Sequence, residues 1–279
     1  MARQHFCGLK HLATLFALAA LASCGGGGGG GSPPASPSQP ASPSTPANLT
    51  MANAPSFANN VALAARMAAT MRLGPNLTTT ATPGMFTEPG CQSIGGPSGP
   101  ATVTVTPATG NVIGTVTYNS FHRCYDVRVS GTSSITGTFN SPQVDIVNYT
   151  LSGLTFTAGG QTYQMSGTAT LDWAPFTGGA AIYALTLNAT VSGAASFSLE
   201  NFRVDSDITA GIENLSISGR VAMSDGFVDV TPRASPPRVE LVTPSTGLQN
   251  GGVVMTGATT VATVFYNGAN PPAISIAPK

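Results

Sequence analysis

From Ala101 onward, apolar and polar positions alternate with a period of two. Tyr163, Met165, Gly167, Ala169, Leu171 and Trp173 occupy every second position, with Thr, Gln, Ser and Asp between them. Ala181, Tyr183, Leu185, Leu187, Ala189 and Val191 repeat the pattern, and Leu215, Ile217, Gly219, Val221 and Met223 do so again. Such segments predict long strands with one buried and one wet face, the mark of antiparallel sheet. Turn signals separate them at Ala158-Gly159-Gly160-Gln161, Thr177-Gly178-Gly179, Asp225-Gly226, Asn250-Gly251-Gly252 and Asn267-Gly268. The reading gives about thirteen or fourteen strands and no helix after residue 75. Pro232, Pro236 and Pro237 break the chain after Val230; Val239–Val242 and Gly252–Tyr266 then read as an added section of the same sheet.

Before the strands the period is helical. Phe57, Val61, Ala64, Ala68 and Met71 recur at helical spacing, and Leu63 and Met67 widen the stripe. Ser56 after Pro55 is a candidate N-cap, and Gly74-Pro75 a stop. This predicts a helix over about 57–72 whose alanines let a partner surface come close.

An apolar residue, then Ser or Thr, then Gly recurs at Gly131, Gly137, Gly153, Gly167, Gly193, Gly219 and Gly257. Each glycine falls on the inward face of its strand, where it weakens packing unless something needs the room. Two uses are expected: the sheet bends at these points, and the Ala-rich helix presses into the gaps. The alternative is chance, since the chain holds 33 glycines. Leu151 and then Leu154 fall on opposite parities around Gly153, the sign of a bulge. The predicted fold is mainly β: a strongly curled antiparallel meander sheet, open barrel-like or sandwich-like, with one Ala-rich helix packed against it. It forms a single domain over 56–279.

Composition sharpens this. Only 8% of residues are charged, and Thr, Ser, Gly and Ala carry the surface instead. Without Arg3 and Lys10, nine basic residues face eleven acidic ones, a net charge near −2. No basic patch exists to hold phosphates, so nucleic acid is excluded as a partner.

The amino terminus supplies an address. Arg3 and Lys10 precede an apolar run from Leu12 to Leu21, too short to cross a bilayer, and a small-residue exit follows. Leu21-Ala22-Ser23-Cys24 resembles the lipobox of bacterial lipoproteins. The resemblance implies cleavage of residues 1–23 as a signal peptide, diacylglyceryl transfer to the Cys24 sulfur and acylation of the new amino terminus. Each buried methylene then adds about 0.8 kcal/mol to anchoring. The alternative is an ordinary secreted protein with Cys24 at its cleavage site. By resemblance to the sorting rule of enteric bacteria, Gly26 rather than Asp favours the outer membrane, with the domain on its periplasmic or cell-surface face. The segment 24–55 opens with Gly25–Gly31 and continues in Ser-Pro repeats, a tether without side chains large enough to pack.

Cys7 leaves with the signal and Cys24 is acylated, so Cys91 and Cys124 remain as a pair in an oxidising compartment. A disulfide between them is expected. A metal site lacks ligands, because His122 is the one histidine after the signal segment. Poly-Gly after the lipid Cys, the Ala58–Ala62 helix, Cys91 with Gly95-Gly96, and Cys124 after a Thr-Val-Thr strand together resemble a group of uncharacterised proteobacterial β-rich envelope lipoproteins. That resemblance implies no activity.

Catalytic chemistry is hard to find. His122 is the one candidate base for a nucleophile system, and it lies two residues before Cys124, which suits a turn residue. No Gly-x-Ser-x-Gly elbow occurs. None of the eleven acids sits in a suggestive setting, and they mostly read as fillers of solvent-facing strand slots. Asp205-Ser206-Asp207 could offer oxygens to calcium but lacks the rest of an EF-hand loop, which favours a solvated turn. Gly25–Gly31 is not a phosphate loop, since no strand precedes it. No catalytic, metal or cofactor-binding residue is assigned. The expected function is a membrane-anchored envelope lipoprotein with a non-enzymatic β-sheet binding or structural domain, its partners the membrane through Cys24 and an envelope protein. The alternatives are a carrier for a lipid or other apolar ligand, which needs an internal cavity lined by Tyr, Met, Leu and Phe, and a hydrolase, which needs polar groups converging in a cleft.

Overall fold

The computed structural model describes residues 43–73, 84–92, 98–108, 111–140, 143–173, 181–209, 212–242 and 247–279. The expected signal segment, the lipobox-like Leu21–Cys24, Gly74-Pro75, Gly95-Gly96 and the expected turn at Thr177-Gly178-Gly179 lie outside them. Among the described residues one helix, α1 (Ala54–Met71), is followed by β1 (Gly84–Glu88), β2 (Ala101–Ala108), β3 (Asn111–Phe121), β4 (Arg128–Asn140), β5 (Gln143–Ala158), β6 (Gln161–Trp173) and β7 (Ala181–Gly193). Then come β8 (Phe197–Thr209), β9 (Ile212–Met223), β10 (Gly226–Pro232), β11 (Val239–Val242), β12 (Gly251–Thr256), β13 (Thr260–Tyr266) and β14 (Ala273–Pro278).

All 14 strands join one antiparallel sheet in sequence order, except that β11 pairs with the first half of β9 while β10 takes its second half and passes on to β12. The sheet curls around the helix. Tyr118 on β3 donates to the Met71 carbonyl at 2.5 Å, and Tyr266 on β13 donates to the Ala58 carbonyl at 2.9 Å. Strands far apart in the sheet order therefore meet on one helix, which also lies against β4, β8 and β9. The expected mainly β meander with a packed helix is what forms.

Alternation built the strands as expected. Met165, Ala169, Leu171 and Trp173 point into the core, as do Tyr183, Leu185, Leu187, Ala189 and Val191. On the wet face the β-branched hydroxyls pair across strands, as Thr117 does with Thr132 at 3.0 Å. Gly159 and Gly160 both take positive φ, +54° and +75°, in the tight β5–β6 turn. The Asp225-Gly226 signal is displaced by one residue: Ser224 and Asp225 make the turn and Gly226 begins β10. Asn250-Gly251-Gly252 is not a hairpin turn. Asn250, at φ +53°, leads the chain into β12.

The glycine repeat marks a line of bending, but it does not make room for the helix. Register shifts cross the sheet at Tyr118/Phe121, Ser130/Ser133, Leu151/Leu154, Leu187/Ala189 and Glu200/Arg203. Gly131 and Gly153 sit inside two of these bulges at φ +119° and +70°. Gly167 and Gly219 face bulges in the next strand: a Cβ on either would lie 2.3 Å from the carbonyl oxygen of Asn188 or Asn201. The gaps are thus filled by neighbouring strand backbone, which lets the strands fold over the helix. At Gly257 a Cβ would lie 2.4 Å from the Ala47 carbonyl, so this glycine admits the incoming chain.

Two boundaries differ from expectation. The helix starts at Ala54, not 57, because Pro55 fits the first turn, where no N–H is needed. Asn53, not Ser56, takes the N-cap position, and its carboxamide turns back to accept from the Thr50 N–H at 2.8 Å. The chain also joins the domain before position 55. Thr45–Ala47 runs beside Phe227, with Ala47 N–H donating to the Phe227 carbonyl at 2.7 Å and Phe227 N–H to the Thr45 carbonyl at 3.1 Å. Ala47 and Leu49 are buried. Two apolar side chains and a strand edge offset the ordering cost that a pure tether could not.

Candidate functional site

The helix shows where the interior is left open. From Phe57 to Met71 every residue is buried except Asn59, Ala62 and Arg66. Their spacing puts them on one stripe of the helix surface. The alanines let the sheet close over all other faces, so the predicted one-sided stripe became a helix enclosed on nearly every side.

That uncovered stripe floors a recess of about 600 Å³ open on one side. The β5–β6 turn supplies Gly159, Gln161 and Tyr163 to one wall, and Leu248, Tyr266 and Asn270 line the other. Arg66 Nη1 reaches both carboxylate oxygens of Asp126, at 2.8 and 2.7 Å. This pair neutralises both charges in the recess. Asn59, Gln161 and Asn270 are exposed at the rim, and the Tyr163 ring is half-buried. The apolar part of the lining comes from alanines, Leu63, Leu248, Pro272 and the rings of Tyr163 and Tyr266.

A second polar cluster closes the C-terminal end of α1. Glu213 is 1% exposed. The Tyr125 and Tyr183 hydroxyls donate to its two oxygens, and Ser206 Oγ adds a third bond at 3.0 Å. Arg72 Nη2 lies 3.5 Å from Glu213 Oε2, and its guanidinium stacks 4.9 Å over the Tyr183 ring. Arg123 donates to the Arg72 carbonyl at 2.6 Å and pairs with Glu88. The last turn of the helix thus has its Met71 and Arg72 carbonyls satisfied by Tyr118 and Arg123. Burial raises the Tyr183 and Tyr125 hydroxyls well above the ordinary tyrosine range, with Glu213 adding to the effect. Burial opposes the Arg72 charge, but Glu213 and the tyrosines beside it raise its pKa overall. Tyr149 Oη, Arg72 Nε and Arg123 Nε are buried without a hydrogen-bond partner among the described residues. The cluster has the groups of an acid–base site without access to solvent. Its visible work is to fix the end of the helix.

The sequence-predicted residues fall as follows. Cys24 lies outside the described residues. Cys91 and Cys124 form the expected disulfide, with Cα atoms 5.1 Å apart. His122 is 1% exposed, and its Nδ1 accepts from the Cys124 N–H at 3.2 Å, so it braces the disulfide loop. Asp205-Ser206-Asp207 is not a turn but part of β8: Asp205 pairs outward with Arg203, Asp207 with Arg238, and Ser206 points inward to Glu213. Not every acid fills a wet slot. Glu213 holds an inward one, and its parity with Leu215 and Ile217 was the signal that could have found it. Arg66 and Asp126 had no such signal. Among the described residues no group of three or more His, Cys, Asp or Glu side chains could hold a metal ion.

No family model matches the chain, and neither a curated protein nor a solved structure matches it significantly.

Proposed function

We propose that this chain is a lipid-anchored protein of the cell envelope, held in the outer membrane by acylated Cys24, whose β domain works by binding or structural support and not by catalysis. The observation that carries this reading is the contrast in access. The acid with converging hydroxyls, Glu213, is sealed, while the accessible recess offers amides, a tyrosine and a neutralised ion pair. The Gly and Ser-Pro segment before Pro46 fits a stand-off from the membrane. The concave side of the sheet is occupied by the helix, which favours a binding surface over a hollow carrier for an apolar ligand.

Crosslinking and pull-down of the acylated protein from native membranes tests the reading. Recovery of one stoichiometric envelope component supports it; co-purifying lipid in place of a partner points to the carrier. Cys24→Ala should release the protein from the membrane fraction. Retention there removes the lipobox from the account.

A further inference from the structure

We propose that the recess beside α1 is a binding site for a neutral saccharide, an inference that rests on reading the domain as a binding module. Four features of the site carry it. Its volume, about 600 Å³, lies in the range of small-molecule sites. Its two charged groups are bound to each other, Arg66 Nη1 reaching both Asp126 oxygens, so no unbalanced charge is offered to an ionic ligand. Asn59, Gln161 and Asn270 each present a donor and an acceptor from one carboxamide. Sugar hydroxyls also donate and accept, so amides pair with them in either sense. The half-buried Tyr163 ring gives the apolar C–H face of a pyranose a flat surface to lie on.

The same features disfavour other ligands. A fatty chain would cover the carboxamides of Asn59, Gln161 and Asn270 without giving them hydrogen-bond partners, which is unfavourable. A phosphorylated or carboxylated ligand would have to break the Arg66–Asp126 pair first. The site is also placed for access. The incoming chain is stitched to the Thr260 end of β13, where Leu49 N–H donates to Thr260 Oγ1 at 3.0 Å. The recess lies at the Tyr266 end of that strand, about 20 Å away at ordinary strand rise. A ligand therefore meets the recess clear of the tether attachment.

The test is saturation-transfer NMR on the acylated full chain in phosphatidylcholine nanodiscs. The probes are maltotriose, cellotriose and chitotriose as neutral sugars, sialyllactose as an anionic one and palmitate as an apolar one. At least one neutral sugar should receive saturation. Tyr163→Ala should weaken that binding about tenfold, the loss of roughly 1.4 kcal/mol of ring contact. Gln161→Ala, at an exposed position, should weaken it about threefold through one lost hydrogen bond. Saturation of sialyllactose alone, of palmitate alone, or of no sugar overturns the proposal, as does neutral-sugar binding that both variants leave unchanged. If a protein partner is still captured from native membranes by wild type and Tyr163→Ala alike, the saccharide site falls and the binding-module reading stands.

Discussion

Helix α1 and the residue that follows it carry two arginines that each meet a carboxylate among tyrosines, and the two arrangements do opposite things. Arg72 and Glu213 have side chains 9% and 1% exposed, under three hydroxyl donors. Arg66 and Asp126 are 14% and 21% exposed, at the floor of an open recess. The chemistry is similar; the cover differs. Around Glu213 at the helix end, three hydroxyl donors and the Arg72 guanidinium are committed to holding the chain. Where the β5–β6 turn stops short, the pair remains accessible. An accessible pair contributes little to stability, while a sealed one is costly to break.

The largest test of this contrast is Glu213→Ala. It leaves Arg72 buried and unpaired and should cost about 3–5 kcal/mol in urea unfolding. Replacing both partners with apolar residues, Arg72→Met with Glu213→Leu, should recover most of that loss. If the single change costs no more than Asp126→Ala, the sealed cluster has no special structural weight.

Cys91→Ser with Cys124→Ser comes next. The bridge closes a loop with a sequence separation of 33, and its loss should lower stability by about 3.5–4 kcal/mol on chain-entropy grounds. Chemical denaturation under non-reducing conditions measures it.

Alkaline pH offers a third measurement. Burial raises Tyr118, Tyr125, Tyr149, Tyr183 and Tyr266 above their ordinary value of 10.0. The unfolded chain releases these protons near pH 10 while the folded chain retains them. Stability is therefore full below pH 10 and declines above it, by up to about 1.4 kcal/mol per pH unit for each tyrosine. A flat stability profile between pH 9 and 11 would contradict the burial of these hydroxyls.

Gly167→Ala should cost about 1–3 kcal/mol, since the new methyl meets the Asn188 carbonyl at a bulge and φ is +141°. Gly159→Ala has open space around its Cβ and pays only for its positive φ. The smallest effect belongs to Asp126→Ala, at most about 1 kcal/mol for a partly exposed pair. Thermal melts of these variants rank them, and a loss at Asp126 equal to that at Glu213 would erase the distinction between the regions.

Much of the sheet was legible from alternation alone. The strand faces of β6, β7 and β9 follow from parity, and the Leu151/Leu154 shift foretold the bulge at Gly153. The sealed cluster was half legible. Glu213 shares the parity of Leu215, and Ser206 that of Val204, but an acid in an inward slot reads as an error until its partners are seen. Those partners come from the end of α1, from Tyr125 and from β7, and no spacing links them. The recess was not legible at all, because its lining comes from stretches around positions 60, 126, 160, 248 and 270.

The sequence by itself determined the strand period, the helix and the bend points, since each is written in neighbours a few residues apart, and it left Cys91 and Cys124 as the pair for a disulfide. Tertiary structure alone decided which arginine is sealed and which is reached. That choice depends on how far a curled sheet closes around an alanine-rich helix, and closure is a property of all the strands together.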